Sequence, residues 1–356
     1  MRKSVYVVGA GIIGLASAYK IAQSFPDCDV TIGSADYHPN TTSDHAGGIV
    51  NNRDASPQFI TDDSRCYILD TKKHCQSMKS DEANAAGIRL RETIIVSTDQ
   101  EKMLDSVSAG VDFQLLTTAE IKALGYDCEN SELRLIFGGQ QPHELYGCKG
   151  YTYIIDTSQY LPWLTAKLKQ LKNREGRPRV EFVTRKISNL NELNSHDLII
   201  NCSGHGAKEL VKDEACVPVK GQYVLVKAPD MKKFITIGKA VFIPRCEDLY
   251  LGSVHLVGEA NEEIDPRLTE LVLRRCEAIY PDVRKAEILK VGVGIRPGRI
   301  GGSRVELEYL QRAAEPRKVP VIHNYGHGAT GISQHWGCAL KVARLARQAL
   351  AVKAKI

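Results

Sequence analysis

The chain has 356 residues, of which 43% are hydrophobic and 25% are charged, a composition typical of a globular enzyme. This length suits two domains better than one. The net charge of +5 comes from 47 basic and 42 acidic residues, with no basic run that could follow a phosphate backbone, so we expect no nucleic-acid partner. The ten cysteines form no Cys-x-x-Cys pairs and predict neither a disulfide framework nor a zinc site.

The N-terminal segment predicts a dinucleotide site. A Val-rich strand, Ser4–Val8, runs directly into Gly9-Ala-Gly11-Ile-Ile-Gly14 and a small-residue helix. In this pattern Gly9 makes a sharp turn, Gly11 lets the backbone approach a pyrophosphate, and Gly14 lets the helix pack close to the strand. The helix N-terminus then directs unpaired N–H groups at the phosphates.

The continuation of this segment supports the same interpretation. We expect the helix to end near Pro26 and a second strand to cover Asp29–Ile32. Asp36 then stands at about the 20-residue spacing of an acid that binds a ribose hydroxyl. A secretory signal is the alternative for the apolar run 5–19, but the glycine spacing and the lack of a small-residue cleavage site disfavour it. No other stretch approaches the length of a membrane span.

Residues 56–150 are less regular, with a helix from about Ser64 to Met78 and a strand near Leu90 to Val96. This pattern predicts a second domain inserted into the first. The chain then returns to the first domain through a helix and two parallel strands, at 157–171, 180–184 and 197–201. The small residues after Asn201 follow a buried strand, where open α/β sheets bind ligands.

The C-terminal half alternates as β-structure before it ends in a helix. Short strands without a long helix between them predict an antiparallel sheet and a wall of the substrate site, at 221–226, 240–243 and 249–252. Residues 319–336 then predict a strand, a glycine-rich loop and a helix. The expected apolar face of that helix comprises Trp336, Leu340, Ala343 and Ala346.

Motifs spread along nearly the whole chain resemble the D-amino-acid oxidase family, which includes the D-aspartate oxidases and binds FAD non-covalently. The matching segments are Val8-Gly-Ala-Gly-Ile-Ile-Gly-Leu15, Thr41-Thr-Ser-Asp-His-Ala-Gly-Gly48, Asn201-Cys-Ser-Gly204, Lys220-Gly-Gln222, Val293-Gly-Ile-Arg296-Pro297, His323-Asn-Tyr-Gly-His-Gly328 and His335-Trp-Gly-Cys-Ala339. They occur in the order found in the family.

The resemblance implies both the fold and the chemistry. It implies an α/β protein with two interleaved domains. The Rossmann-like FAD-binding domain comprises residues 1–55, 150–216 and 297–356. The α+β substrate domain is built on an antiparallel sheet and comprises residues 56–149 and 217–296. A D-amino acid then loses its α-hydrogen as hydride to the flavin. The imine is hydrolysed to a 2-oxo acid and ammonia, and O2 reoxidises the flavin to give hydrogen peroxide. No acid or base residue is needed if the amine binds deprotonated.

Two residues carry the catalytic prediction. Arg296 falls at the position of the family's carboxylate-binding arginine, and a guanidinium matches a carboxylate with a planar pair of donors. The alternative role for Arg296 is a structural salt bridge. Ala329 stands where the family uses a backbone carbonyl to accept a hydrogen bond from the substrate amine, and the family's usual residue there is glycine.

The resemblance also assigns residues to FAD. They are Gly9, Gly11, Ile12, Ile13 and Gly14 at the turn, Ala35 and Asp36 at the ribose, Thr41, Thr42 and Ser43 near the phosphates, Gly47, Gly48 and Ile49 along the isoalloxazine, Ile187 and Ser203 near the adenine side, and Gly328, Ala329, Thr330, Gly331, Ile332 and Ser333 along the flavin edge. The alternative for the last group is a helix-capping loop.

The substrate side departs from the family pattern. Val241 occupies the place of a family tyrosine whose hydroxyl helps to hold the substrate carboxylate, so we consider Tyr223 and Tyr250 as substitutes. His255 stands about where D-aspartate oxidases have an arginine that binds the distal carboxylate, which favours acidic substrates, although a structural role is the alternative. His323, His327 and His335 fit the family's loop, and we expect no metal.

Four functions remain as hypotheses. The first is an oxidase of D-amino acids, for which acidic substrates, D-aspartate or D-glutamate, are considered beside neutral ones. The second is a nicotinamide-dependent dehydrogenase, the third a glycine or sarcosine oxidase, and the fourth a flavin-binding protein that has lost activity. The partners we expect are a small D-amino acid and O2, without a membrane, and a homodimer is one candidate assembly.

The C-terminal tripeptide suggests a cellular address. Ala354-Lys355-Ile356 resembles a variant of the peroxisomal Ser-Lys-Leu signal, being small, basic and then aliphatic. Production of peroxide fits that compartment and a peroxisomal import receptor as partner. The alternative location is the cytoplasm.

Overall fold

A computed structural model describes residues 2–51, 57–101, 103–104, 111–173, 175–228, 230–252, 254–311 and 318–352. The predicted targeting tripeptide Ala354-Lys355-Ile356 lies outside these residues. The α-helices are α1 Ile12–Ser24, α2 Asp62–Ser77, α3 Ser80–Ala85, α4 Thr118–Ala123, α5 Leu133–Ile136, α6 Thr157–Gln170, α7 Ala207–Leu210, α8 Pro266–Glu277 and α9 Gly331–Val352. Short 3₁₀ turns cover Thr42–His45, Pro57–Phe59, Leu190–Leu193, Gly204–Gly206, Pro281–Lys285 and Gly328–Thr330.

The strands are β1 Lys3–Val8, β2 Cys28–Ser34, β3 Ile88–Ser97, β4 Val111–Leu116, β5 Tyr146–Ile155, β6 Val180–Thr184, β7 Leu198–Asn201, β8 Cys216–Val226, β9 Phe234–Ile237, β10 Ala240–Pro244, β11 Leu249–Gly252, β12 Leu256–Val257, β13 Ile288–Arg299, β14 Arg304–Leu310 and β15 Val319–Tyr325. Within the described residues they form two sheets. The two sheets meet along a cleft that residues of both of them line.

The first sheet has the order β14-β15-β7-β1-β2-β6. All its neighbours pair in parallel except β14 and β15. The chain passes from β1 outward to β2 and β6 and then returns to β7 on the other side of β1. The carboxyl end of β1 is therefore a topological switch point, where α/β sheets bind ligands.

Helices α1, α6 and α9 cover this sheet, and α2 packs on α9. The helix α1 ends at Ser24, close to the end predicted at Pro26. The expected apolar face of α9 is buried at Trp336, Ala343 and Ala346, whereas Leu340 is partly exposed. The predicted Rossmann-like half of the α/β fold is confirmed.

The second sheet has the order β12-β8-β11-β10-β9-β3-β5-β4, with β13 pairing along β8. The predicted antiparallel arrangement of β8, β10 and β11 is confirmed. One pair, β3 with β9, is parallel. Helix α8 packs against β8, β10 and β11, so this α+β layer presents its other side toward the first sheet.

Three of the four predicted domain boundaries fall within continuous strands, and the fourth, between residues 55 and 56, lies outside the described residues. Residues 149 and 150 both lie in β5, residues 216 and 217 in β8, and residues 296 and 297 in β13. Since β5 pairs with β3 and β4 along its length, residues 150–155 run with the second sheet. The division into two domains stays a prediction. No described helix has both the length and the apolar character to cross a bilayer.

Candidate active site

A cleft runs from the carboxyl ends of β1 and β7 to the face of the second sheet. It brings together residues that are distant in sequence. The predicted site residues that line it are Gly9, Gly11, Ile12, Ile13, Asp36, Thr41, Thr42, Ser43, Gly47, Gly48, Ile49, Ser203, Val241, Arg296, Gly328, Ala329, Gly331 and Ile332.

The glycine turn between β1 and α1 is shaped by close approach. Gly9 has φ of +101°, and a Cβ there would stand 2.4 Å from the carbonyl oxygen of Cys202 at the end of β7. A Cβ at Gly14 would lie 1.9 Å from the Gly9 carbonyl oxygen. A Cβ at Gly11 would meet only the Ser43 hydroxyl, at 3.1 Å. The chain therefore packs against itself too closely at Gly9 and Gly14 for any side chain. At Gly11 the missing side chain leaves open space on the side of the cleft.

The 3₁₀ turn Thr42–His45 completes this end of the cleft. The Ser43 hydroxyl accepts a hydrogen bond of 3.0 Å from the Ile12 N–H at the start of α1. The Asp44 carboxylate accepts bonds from both the Thr41 N–H, at 2.9 Å, and the Thr41 hydroxyl, at 2.7 Å. The Asp44 bonds hold the turn closed at its first residue, and the Ser43 bond joins the turn to the N-terminus of α1.

Several buried polar atoms of the cleft have no hydrogen-bond partner among the described residues. They are Ser203 Oγ, His205 Nε2, Asn324 Oδ1 and His327 Nε2. Native proteins leave few such atoms unsatisfied, because each costs about 1–3 kcal/mol. A polar ligand in the cleft would satisfy them.

Arg296 projects from β13 over the second sheet. A Cβ at Gly221 on β8 would lie 2.2 Å from Arg296 Nη1, so only glycine leaves room for the guanidinium there. Nη1 donates a 3.0 Å hydrogen bond to the Val254 carbonyl. Within the described chain Arg296 forms no ion pair, which disfavours the structural salt bridge considered above. Its charge is available to an anion in the cleft.

Tyrosines and a histidine flank this arginine. Tyr250 lines the cleft and stacks on Tyr223, with ring centroids 4.8 Å apart and planes at 15°. The Tyr223 hydroxyl lies 3.0 Å from Nδ1 of His45, which also lines the cleft. Tyr223 itself is buried behind these residues rather than at the cleft surface. Of the two tyrosines considered as substitutes, Tyr250 reaches the cleft.

The flavin-edge prediction includes two residues that do not line the cleft. The buried Ser333 hydroxyl lies 2.9 and 2.8 Å from the carbonyl oxygens of Ile49 and Asn51, and it accepts a bond from the Asn51 N–H. The Thr330 hydroxyl donates to the His327 carbonyl at 2.9 Å. Both hydroxyls therefore stabilise the loop, because they are engaged by neighbouring protein groups.

Other predicted residues also lie away from the lining. Gly14 packs on the turn, Ala35 is exposed after β2, and Ile187 is buried with Val8 in the core behind the first sheet. His255 is exposed and does not line the cleft. The segment after β11 carries it outward, so its predicted contact with a distal carboxylate finds no support in this geometry.

The three C-terminal histidines have separate environments. His323 Nε2 is 3.0 Å from a Glu308 carboxylate oxygen, and His335 Nε2 is 2.9 Å from the Tyr160 hydroxyl. Burial lowers the pKa of His327 to about 3, helped by nearby His335, and burial lowers the pKa of His335 to about 4. These buried rings are therefore neutral at physiological pH.

Sequence reasoning missed part of the lining. The additional residues are Ala10, Ser34, Asn40, His45, Ala46, Cys202, Gly204, His205, Gly221, Ile243, Gly294, Pro297, Asn324, Tyr325 and His327. Many stand inside the motifs quoted above, so motif membership was the available signal. Roles that depend on strand pairing, such as the room Gly221 leaves for Arg296, carry no local signal.

Comparison with known proteins identifies the family. Residues 4–345 match the family described as FAD dependent oxidoreductase. The chain belongs to this family. A D-aspartate oxidase from Homo sapiens is 33% identical over 347 residues, which cover 96% of this chain and 94% of that protein. A D-amino-acid oxidase from Streptomyces coelicolor is 29% identical over 348 residues, 96% of each chain.

A solved structure agrees at the level of the fold. A glycine oxidase from Geobacillus kaustophilus has a TM-score of 0.72 at 19% identity and covers 97% of this chain and 94% of its own. The resemblance to the D-amino-acid oxidase and D-aspartate oxidase family is thus confirmed, and FAD is the cofactor. This FAD-dependent oxidoreductase has a cleft whose glycine turn and unsatisfied polar atoms fit a dinucleotide.

Proposed function

We propose that this FAD-dependent oxidoreductase deaminates D-amino acids, converting a D-amino acid, O2 and water into a 2-oxo acid, ammonia and hydrogen peroxide. FAD, when bound, takes up two electrons from the substrate and passes them to O2. The chain's own work is then to bind the cofactor and to orient the substrate's α-carbon. Its similarity to D-aspartate and D-amino-acid oxidases supports this reaction.

The single observation that carries the proposal is the position of the Arg296 side chain in the cleft. A guanidinium without an ion pair in the described chain lines the cleft, and Gly221 makes room for it. We assign it to the substrate α-carboxylate, which it can bind through two parallel N–H donors. We assign the carbonyl of Ala329, which lines the same cleft, to the substrate amine.

The cofactor assignments follow the lining. We assign the turn from Gly9 to Ile13 to the pyrophosphate, since backbone N–H groups at a helix N-terminus bind anions. Asp36 is assigned to the ribose. The segments 47–49, 328–329 and 331–332 are assigned to the flavin, and Ser203 is assigned to the adenine side. Ser203 Oγ and Asn324 Oδ1 are polar atoms of the lining that have no partner among the described residues.

An acidic substrate class is part of the proposal. Among the described residues that line the cleft, Asp36 is the only carboxylate, and it follows β2 rather than lying near Arg296. No carboxylate of the lining therefore stands beside Arg296 to repel an acidic substrate side chain. On this ground we include D-aspartate and D-glutamate among the substrates, beside neutral D-amino acids.

A substrate panel tests the proposed function. The purified holoenzyme is assayed for peroxide, ammonia and 2-oxo acid with D-aspartate, D-glutamate, D-alanine, their L-enantiomers, glycine and sarcosine. We expect turnover with D-enantiomers only. Faster turnover of glycine or sarcosine would indicate a glycine-type oxidase instead, and no turnover of any of them would indicate a flavoprotein without this activity.

Location is a separate proposal. Because the reaction releases peroxide, we propose that Ala354-Lys355-Ile356 directs the protein to peroxisomes. A fluorescent protein fused in front of these residues should enter peroxisomes, and the same fusion without them should remain in the cytoplasm. Identical distributions of both fusions would contradict the proposal.

A further inference from the structure

His45 lies beside Arg296 in the cleft. Gly294 on β13 and Gly221 on β8 face each other in the antiparallel ladder, and such partners share one face with Cβ positions about 5 Å apart. A Cβ at Gly294 would stand 2.6 Å from the Cβ of His45, and one at Gly221 would stand 2.2 Å from Arg296 Nη1. The imidazole and the guanidinium are therefore neighbours over the same pair of strands.

Tyr223 determines which imidazole nitrogen carries the proton. Its buried hydroxyl lies 3.0 Å from His45 Nδ1, and in the described part of the chain that nitrogen is its only hydrogen-bond partner. A buried hydroxyl donates where an acceptor is available, so Nδ1 accepts. The neutral ring then carries its proton on Nε2. Because Tyr223 lies behind the lining, the Nε2 edge is the one turned to the cleft.

We propose that the Nε2–H group of His45 donates a hydrogen bond to the substrate α-carboxylate and takes the place of the hydroxyl that Val241 lacks. This inference rests on the proposed function. A carboxylate accepts about four hydrogen bonds, so two guanidinium N–H groups leave capacity for the imidazole. Since every D-amino acid has an α-carboxylate, His45 acts on acidic and neutral substrates alike.

The surroundings of the ring set its response to pH. Burial and the positive charge of Lys290 lower the pKa of His45, with Asp44 and Glu262 opposing them. The ring is therefore neutral at pH 7 and donates from Nε2 without a charge. Protonation on acidification adds positive charge to the same donor, so carboxylates bind more tightly. The titratable and charged groups packed around it are Tyr223 on β8, Lys290 and Arg296 on β13, Asp44 on its own turn and Glu262 after β12.

Binding of a simple carboxylate tests this role apart from turnover. The FAD holoenzyme is titrated with propionate, followed by the change in the flavin spectrum, and with propionamide as the uncharged match. We expect His45→Leu to raise the Kd of propionate about tenfold, as for a lost hydrogen bond to a charged group. The Kd of propionamide should rise by a smaller factor, because its carbonyl accepts a hydrogen bond without a charge. His45→Gln retains an N–H donor and should restore most of the affinity, without the tightening at acidic pH.

Kinetics complete the test. His45→Leu should raise KM for D-alanine and D-aspartate by the same factor with kcat little changed, and Tyr223→Phe should give a smaller rise. His143→Gln, an exposed histidine, is the control and should behave as the wild type. An effect on D-aspartate alone, on FAD affinity alone, or on neither propionate nor KM would overturn the inference. Absence of D-amino-acid oxidation by the wild type would instead overturn the proposed function.

Discussion

At the scale of single residues, the site depends on the space that glycines leave for the larger side chains beside them. The Arg296 guanidinium occupies space over Gly221, and its one described hydrogen bond, to the Val254 carbonyl, fixes its orientation without neutralising its charge. The position of Arg296 could be predicted from its motif. The need for Gly221 could not, because it follows from the pairing of β8 with β13, which brings together residues 75 positions apart.

Removing the Arg296 charge should weaken substrate binding and leave the cofactor in place. We expect Arg296→Met to raise KM for D-alanine at least about thirtyfold, since a buried charge-assisted pair is worth about 2–5 kcal/mol. Arg296→Lys should retain part of the affinity, because it keeps the charge but not the paired donors. Peroxide-coupled kinetics measure KM, and visible absorbance per protein measures bound FAD.

The glycine beneath the guanidinium offers a matched comparison. Gly221→Ala puts a methyl group where Arg296 Nη1 lies and should also raise KM. Gly206→Ala, where a Cβ would make only an ordinary 3.7 Å contact with Ser203, should not. An unchanged KM in Arg296→Met would reject the assignment of that residue.

At the scale of elements, the β1 turn and α1 illustrate what local pattern can establish. Strand, glycine spacing and helix are all encoded within residues 3–24, and the structure has them in this order. Ser333 shows the opposite case. Its hydroxyl was expected at the flavin edge, but it bonds to the Ile49 and Asn51 carbonyls, which a distant segment brings beside α9. Such contacts depend on tertiary packing and leave no trace in the local sequence.

Two glycine substitutions should separate cofactor binding from folding. At Gly11 a methyl group meets only the Ser43 hydroxyl, so we expect Gly11→Ala to fold but to retain little FAD. At Gly14 a methyl group would overlap the Gly9 carbonyl at 1.9 Å, so Gly14→Ala should lower the melting temperature of the apoprotein. FAD content and thermal unfolding measure the two effects. Normal FAD content in Gly11→Ala would contradict the role of this turn.

At the scale of the whole molecule, buried polar groups tie the second sheet to the segment that leads out of the cleft lining and to helix α6, which covers the first sheet. The Thr152 hydroxyl of the second sheet donates to the Val50 carbonyl at 3.0 Å. Asp156, which caps α6, also accepts from the Cys246 N–H at 3.0 Å and lies 3.9 Å from buried Arg245. The α/β class and the antiparallel sheet could be predicted from alternation along the chain. These ties between layers could not, because each joins segments that meet only in the folded protein.

Buried neutral histidines should make stability sensitive to acid. His335 has its pKa lowered to about 4 by burial, so between about pH 6.5 and 4 it is protonated in the unfolded chain and neutral in the folded one. Unfolding then takes up protons, and the free energy of unfolding should fall as the pH falls through this window. Melting temperatures at fixed ionic strength measure how the stability changes with pH. The substitution His335→Gln should lower the number of protons taken up on unfolding by about one. A flat profile in this window would contradict the assignment.

The most direct test of the whole account is anaerobic mixing of the holoenzyme with single enantiomers. D-aspartate or D-alanine should bleach the visible absorbance of oxidised FAD, because the substrate delivers two electrons when O2 is absent. The L-enantiomers should leave the spectrum unchanged, and Arg296→Met should bleach only at much higher concentrations of the D-enantiomer. Bleaching by an L-enantiomer, or no bleaching by any D-amino acid, would contradict the account.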